Sequence, residues 1–165
     1  LWVAPERQGA LHPVTISHGL GRGFLAEFDW TGTRDPSAFL AVSAALDFFE
    51  SLGGPALMTR NADLARQAVW FLADRLGTET GADPDTSAAM GLVRLPLRRP
   101  AAAEQAETIR ECLLDAQADA PVHVIDGAAW LRVSAHAYNE MQDYERLAEL
   151  LKGILATAPT AECPL

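Results

Sequence analysis

Lysine is nearly missing from this sequence: of 13 basic side chains, only Lys152 is a lysine. Acids outnumber bases by 22 to 13, for a net charge of −9. No nucleic-acid partner is expected, because holding phosphates takes clustered Lys and Arg. Cysteine is scarce too. Cys112 and Cys163 lie far apart and lack metal-type spacing. Neither a disulfide framework nor a metal site is expected, and the reading is of reduced thiols in a cytoplasmic protein. No apolar run approaches the ~20 residues that cross a bilayer, so no membrane span is expected. Phosphate-binding loops, nucleophile elbows and carboxylate pairs close in sequence are all missing. Gly19-Leu20-Gly21-Arg22-Gly23 is glycine-rich but opens no clear helix, and reads as a tight turn. The opening Leu1-Trp2-Val3, with no initiator Met and no signal-peptide pattern, reads as a strand entered partway and hence as a cut from a larger protein.

What is there belongs to a globular domain: 49% of residues are hydrophobic and 21% charged. Val14 and Ile16, between Pro13 and Gly19, suggest a strand. Asp35-Pro36 predicts a helix start, with Asp as N-cap and Pro at the first helical position. Phe39, Val42, Leu46 and Phe49 follow at helical spacing, with further apolar residues on the other faces. A helix this apolar all round is expected to be buried, up to its stop at Gly53-Gly54. A second helix is predicted from about Asn61 to Leu76, stopped by Gly77, then a loop over 78–87 and a strand over 92–97. A third helix over 102–117 and a short strand over 122–125 come next. From Trp130 to Tyr138 the chain alternates: Leu131, Val133, Ala135 and Ala137 face a core, and Trp130, Arg132, Ser134, His136 and Tyr138 face away. Asn139 caps a last helix whose buried stripe is Tyr144, Leu147, Leu151 and Ile154. The order after residue 55 predicts an α+β unit, a small and largely antiparallel sheet covered by helices.

Two places concentrate chemistry. Trp30-Thr31-Gly32-Thr33-Arg34-Asp35-Pro36 gathers hydroxyls, a glycine and a guanidinium before a predicted helix start, which suits a phosphate. An ordinary capping loop, with Arg34 held by a surface carboxylate, is the plainer reading. Arg132, in mid-strand among Trp130, Ser134 and His136, could clamp a carboxylate with two parallel hydrogen bonds. A solvent-facing or structurally paired arginine is the plainer reading there. His18 and His136 read as structural histidines, and a triad built from Ser134 and His136 has no support from spacing.

These stretches, with Leu1-Trp2-Val3-Ala4-Pro5-Glu6, His12-Pro13-Val14-Thr15-Ile16-Ser17 and Met90-Gly91-Leu92-Val93-Arg94-Leu95-Pro96, resemble the isopenicillin N epimerase-like branch of the class V aminotransferases, to about residue 156. The resemblance implies the C-terminal portion of a fold type I enzyme that uses pyridoxal 5′-phosphate (PLP). On it, 1–35 are trailing strands and the cofactor-phosphate loop of a large domain, 36–54 an interdomain helix, 55–157 the small C-terminal α+β domain, and 158–165 a tail. Thr33 matches the threonine that donates to the PLP phosphate of the neighbouring subunit in a homodimer. Gly32 would let the backbone approach it, and Arg34 and Trp30 would line the site. Arg132 matches the arginine that takes the amino-acid substrate's α-carboxylate. The catalytic lysine, which forms the Schiff base with PLP until the substrate amine displaces it to give the external aldimine, would precede Leu1, so the chain alone is expected to be inactive. Lys152, near the end of the last helix, is expected on the surface. Cysteine desulfurase activity is disfavoured, because 118–129, before the carboxylate-binding strand, hold no cysteine. The rival expectation is a non-catalytic α+β module that holds a carboxylated metabolite on Arg132.

Overall fold

A computed structural model describes residues 1–83, 86–97 and 100–157. Cys163 and the predicted tail lie outside the described residues. The chain divides into two compact units, Leu1–Asp47 and Phe48–Leu165.

The second unit carries the sheet. Three antiparallel strands, β1 (Met90–Arg94), β2 (Val122–Ile125) and β3 (Ala128–Ser134), run in the order β1-β3-β2. Leu92 faces Arg132 across one ladder, and His123 faces Trp130 across the other. Asp126 and Gly127, both at positive φ, close the β2–β3 hairpin. That backbone suits the right-handed twist of the strands, and Asp-Gly adopts it at little cost. Strand β1 ends before Pro96, which has no N–H to donate to a ladder. Thr80 adds an isolated bridge to Val93, so part of the predicted 78–87 loop pairs with the sheet.

Three helices cover one face. Helix α4 (Gly54–Leu76) packs on β1 and β3, α5 (Ala103–Asp115) on β2, and α6 (Met141–Thr157) on α4 and α5. Their inward residues recur at helical spacing: Ala65, Ala68, Val69 and Leu72 from α4, Ile109 and Leu113 from α5, Tyr144, Leu147, Leu151 and Ile154 from α6. They meet Val93, Leu95, Leu131 and Val133 from the sheet. The predicted alternation in β3 is therefore observed, with Leu131, Val133 and Ala135 buried and Arg132, Ser134 and His136 exposed. Helix α4 starts seven residues before the expected Asn61, because Pro55 in its first turn gives up an N–H that has no helical acceptor.

The first unit departs further from expectation. It contains a 3-10 turn (Pro5–Ala10) and a short helix α1 (Phe24–Asp29), and none of its residues joins a strand. Strands predicted at 1–3 and 14–16 do not form, since a strand needs a hydrogen-bonded neighbour and no segment among the described residues pairs with either. Buried Glu27 organises the unit instead: His12 Nδ1 lies 2.6 Å from its carboxylate, and the Gly21 N–H donates to it at 3.1 Å. The His12 contact, then the Gly21 N–H, hold the Glu27 carboxyl below its ordinary range against the opposing effect of burial. Gly19 is required here: a Cβ on it would lie 1.9 Å from the Ala26 carbonyl oxygen.

The predicted 36–52 helix is broken at Ala41 into α2 (Ser37–Leu40) and α3 (Val42–Ser51). None of its residues is buried, and Phe39, Leu40 and Val42 are more than half exposed. Burial was expected from an all-round apolar composition. Apolar faces are buried only where a second surface meets them, and the described chain brings none to these.

Candidate functional site

Arg132 stands on the sheet face that the helices leave open. Its backbone is fixed: the N–H donates to the Pro121 carbonyl at 2.8 Å, extending the β2–β3 ladder by one residue. Its side chain is exposed, and among the described residues its guanidinium has no hydrogen-bond or ion-pair partner. It lines a cleft of about 550 Å³ with Tyr138, Asn139, Tyr144, Arg146 and the 117–121 segment. The acids of this cleft are engaged elsewhere. Asp143 accepts from the Glu140 N–H and the Asn139 side chain, and Asp119 pairs with Arg110 at 3.8 Å. A free guanidinium in a polar cleft can take a planar carboxylate with two parallel hydrogen bonds.

The turn after β3 is closely tied. The His136 N–H donates to Asn139 Oδ1, and the Asn139 N–H donates to the His136 carbonyl, both at 3.0 Å. The Tyr144 hydroxyl donates to the Ser134 carbonyl at 2.8 Å. Burial, then the negative charge of Asp143, raise the Tyr144 pKa against the pull of Arg60, so this phenol stays a donor. The His136 and Tyr138 rings stack at 5.2 Å. No hydrogen bond links His136 to Ser134 or to an acid, so no catalytic triad is assembled among the described residues. Nor do any three His, Cys, Asp or Glu side chains there converge to hold a metal ion.

In the first unit, Thr31 and Arg34 line a shallow depression with Leu25, Phe28, Asp29 and Phe39. Trp30 is exposed beside it. Gly32 has φ 120°, and a Cβ there would meet nothing within 4 Å. Thr33 is exposed, and neither its hydroxyl nor the N–H groups of 31–34 have a partner among the described residues. The Arg34 guanidinium lies 5.2 Å from the Phe39 ring centre instead of on a carboxylate. Asp35 is not the expected N-cap: that place falls to Pro36, with no side-chain cap, and Asp35 instead accepts from the Ser37 hydroxyl and N–H, which lower its pKa in that order. The helix that follows has only four residues. Its dipole is too short to hold an anion, so the helix-start argument for a phosphate lapses and the unengaged loop donors carry that reading.

Those donors fit a phosphate, and Arg132 fits a carboxylate. An aldehyde cofactor also needs an amine. Lys152 is exposed on α6 with its Nζ 3.0 Å from Glu149 Oε1, and it does not line the Arg132 cleft. The cleft also holds Arg146, which sequence reading passed over because it sits among ordinary surface charges of α6. It donates to the Ala116 carbonyl at 2.7 Å.

No protein-family model matches the chain. It is 30% identical over 170 residues to an L-cysteine desulfhydrase of Arabidopsis thaliana, covering 92% of this chain and 37% of that protein. It is 37% identical over 170 residues to an isopenicillin N epimerase of Amycolatopsis lactamdurans, covering 92% and 42%. To the isopenicillin N epimerase of Streptomyces clavuligerus it is 31% identical over 155 residues, covering 93% and 38%. Among solved structures, an 8-amino-7-oxononanoate synthase from Francisella tularensis matches with a TM-score of 0.54 at 16% identity, over 83% of this chain and 39% of that one, a likeness of fold alone. The chain spans well under half the length of these relatives.

Proposed function

Because this chain is homologous to part of the class V aminotransferase-like, PLP-dependent enzymes, we propose that it forms the C-terminal part of such an enzyme and supplies two anion grips to its site. Its fold is that of part of a fold type I PLP transferase. Residues 1–35 trail from the large domain, 36–54 lead across as the interdomain segment, and 55–157 are the small domain.

The single observation that carries the reading is Arg132: a free guanidinium, rigidly mounted on the central strand, in a polar cleft. It binds and orients the α-carboxylate of an amino-acid substrate. Thr33 donates its hydroxyl to the cofactor phosphate, Gly32 leaves the backbone room to approach, and Arg34 and Trp30 line the site. The exposure of Thr33 and its unused donors support a phosphate supplied across a homodimer interface. When bound, PLP supplies the electron sink that stabilises negative charge at the substrate carbon. The names of the relatives differ in reaction, so the proposal stops at an amino-acid substrate altered by elimination, epimerisation or transamination. Cysteine desulfurase chemistry is disfavoured, since Cys112 is buried in α5 and 118–129 hold no cysteine. A cytoplasmic setting is inferred from the scarcity of cysteine, two residues far apart in sequence; one relative, from Arabidopsis thaliana, is named chloroplastic.

The amine that anchors the cofactor comes from another segment of the protein, because Lys152 is ion-paired on α6. The same fact favours the second reading, a module that holds a carboxylated metabolite without catalysis. Titration with PLP tests both. The chain is expected to show amide-resonance shifts at 31–34 and no stoichiometric absorbance from lysine-bound PLP. Such a band arising from Lys152 would overturn the assignment. An in-frame lysine shortly before Leu1 in the gene supports the enzyme, and a gene that begins at Leu1 supports the module.

A further inference from the structure

The turn that follows β3 is held from outside as well as from within. Arg60, on α4, donates from Nη2 to the Asn139 carbonyl at 2.8 Å and from Nη1 to the His136 carbonyl at 3.3 Å. Nη1 also reaches Asn61 Oδ1 at 3.3 Å, which ties the guanidinium to its own helix. One planar fork thus grips both ends of a four-residue turn that lies 76 and 79 positions away in sequence. Two donors in fixed geometry define the position of the turn, which a single flexible ammonium would not do.

That turn carries Tyr138. Its ring is 79% exposed, stacks on His136, and lines the same cleft as Arg132. Its hydroxyl has no hydrogen-bond partner among the described residues. The strand that bears Arg132 ends at Ser134, and Tyr144 fixes the carbonyl of Ser134. The end of the strand is therefore fixed by Tyr144, and the place of Tyr138 relative to it depends on the turn.

We propose that Tyr138 is a second ligand of the carboxylate held by Arg132, and that Arg60 is a positioning residue which sets Tyr138 in that cleft by gripping the His136 and Asn139 carbonyls. The inference rests on Arg132 as the carboxylate grip. A phenol O–H that lines the same cleft as a guanidinium can complete the coordination of a carboxylate, which has more lone pairs than one bidentate arginine fills. Tyr138 then selects ligands by where their carboxylate projects, and Arg60 never touches them.

The test uses the full chain, with L-alanine as probe and the side-chain N–H resonances of Arg132 as readout. The unaltered chain is expected to show a saturable shift that Arg132→Ala abolishes. Tyr138→Phe leaves the turn in place and is expected to weaken binding about tenfold, the loss of one hydrogen bond to a charged group at about 1.4 kcal/mol. Arg60→Met is expected to weaken it to a similar degree, and Arg60→Lys to fail to restore it, with thermal unfolding checked for each. Full restoration by Arg60→Lys would show that only the charge matters, and would overturn the positioning role. Loss with Arg132→Ala but none with Tyr138→Phe or Arg60→Met overturns this inference and leaves the Arg132 assignment standing. No Arg132-dependent shift in the unaltered chain overturns both.

Discussion

Two neighbouring residues of the central strand should behave in opposite ways. Leu131 is fully buried under the helices and packs beside Val93 and Val122 in the ladder, whereas Arg132, one position on, is exposed and unpartnered. Leu131→Ala removes a side chain whose burial contributes ~1.5–3 kcal/mol and leaves a cavity beside a strand that is paired on both edges. Three covering helices leave little room for collapse, so the expected loss is ~3–5 kcal/mol. That is a large part of the ~5–15 kcal/mol that holds a domain together. Arg132→Gln removes no guanidinium hydrogen bond or ion pair made among the described residues, and its expected effect on stability is within ~0.5 kcal/mol. Urea unfolding followed by circular dichroism measures both. Carboxylate binding, followed on the same proteins, should vanish in Arg132→Gln and persist in whatever fraction of Leu131→Ala is folded. A destabilisation of Arg132→Gln comparable to that of Leu131→Ala would refute the reasoning. The arginine would then be structural, and the open sheet face would be a second packing face.

Acid should loosen the first unit through Glu27. Its folded pKa is depressed, so its contribution is present above the ordinary glutamate range and is lost as pH falls through that range to the lowered value. Limited proteolysis between Leu1 and Asp47 should accelerate over that window, and Glu27→Gln should flatten the dependence. Gly19→Ala should destabilise the same unit by ~1–3 kcal/mol, since the Cβ would meet main-chain atoms of Ala26 that can yield only if the backbone moves. Faster proteolysis of this unit at neutral pH checks it. Phe39, Leu40, Val42 and Leu46, each more than half exposed, should bind a hydrophobic dye or drive self-association. A dye-silent monomer in sedimentation would contradict the exposure of that surface.

The α+β unit was legible because its signals are local and repeated. Alternation in 130–135 and the 3.6-residue stripes of α4, α5 and α6 each mark a face, and all of those faces meet in one core. Asp126-Gly127 carries a hairpin signal that a reading centred on apolar runs passes over. The first unit was not legible for the opposite reason. Whether 14–16 become a strand depends on a neighbour that no local pattern names, and the His12–Glu27 contact joins residues whose spacing follows no helical or strand period. The 36–52 helix shows the same limit: composition described its apolar faces and said nothing of what would cover them. The two site residues were legible as chemistry and not as geometry. Sequence found the guanidinium and the hydroxyls, but the fork of Arg60 joins positions too distant in sequence for any spacing rule.

The case for Arg132 finally turns on what the other arginines do. In a chain with 22 acids and 13 bases, a surface arginine has many possible partners. Arg94 meets Glu79, Arg66 meets Asp63, Arg110 meets Asp119, Arg60 and Arg146 bond main-chain carbonyls, and Arg34 and Arg75 lie over phenyl rings. The side chains of Arg7 and Arg22, outside any strand, share with Arg132 the lack of a partner among the described residues. Arg132 occupies the central strand, flanked on the outer face by Trp130 and Ser134 and facing Leu92, none of which is an acid and none of which pairs with its guanidinium. A β-branched or aromatic residue would fit that pleated surface better, so the arginine there works against local propensity with no compensation inside the fold. Residues that break a local rule without an internal compensation are where a ligand is expected. Of the two plainer readings, structural pairing therefore fails among the described residues, and the exposed guanidinium is left facing solvent, where the proposed carboxylate would meet it.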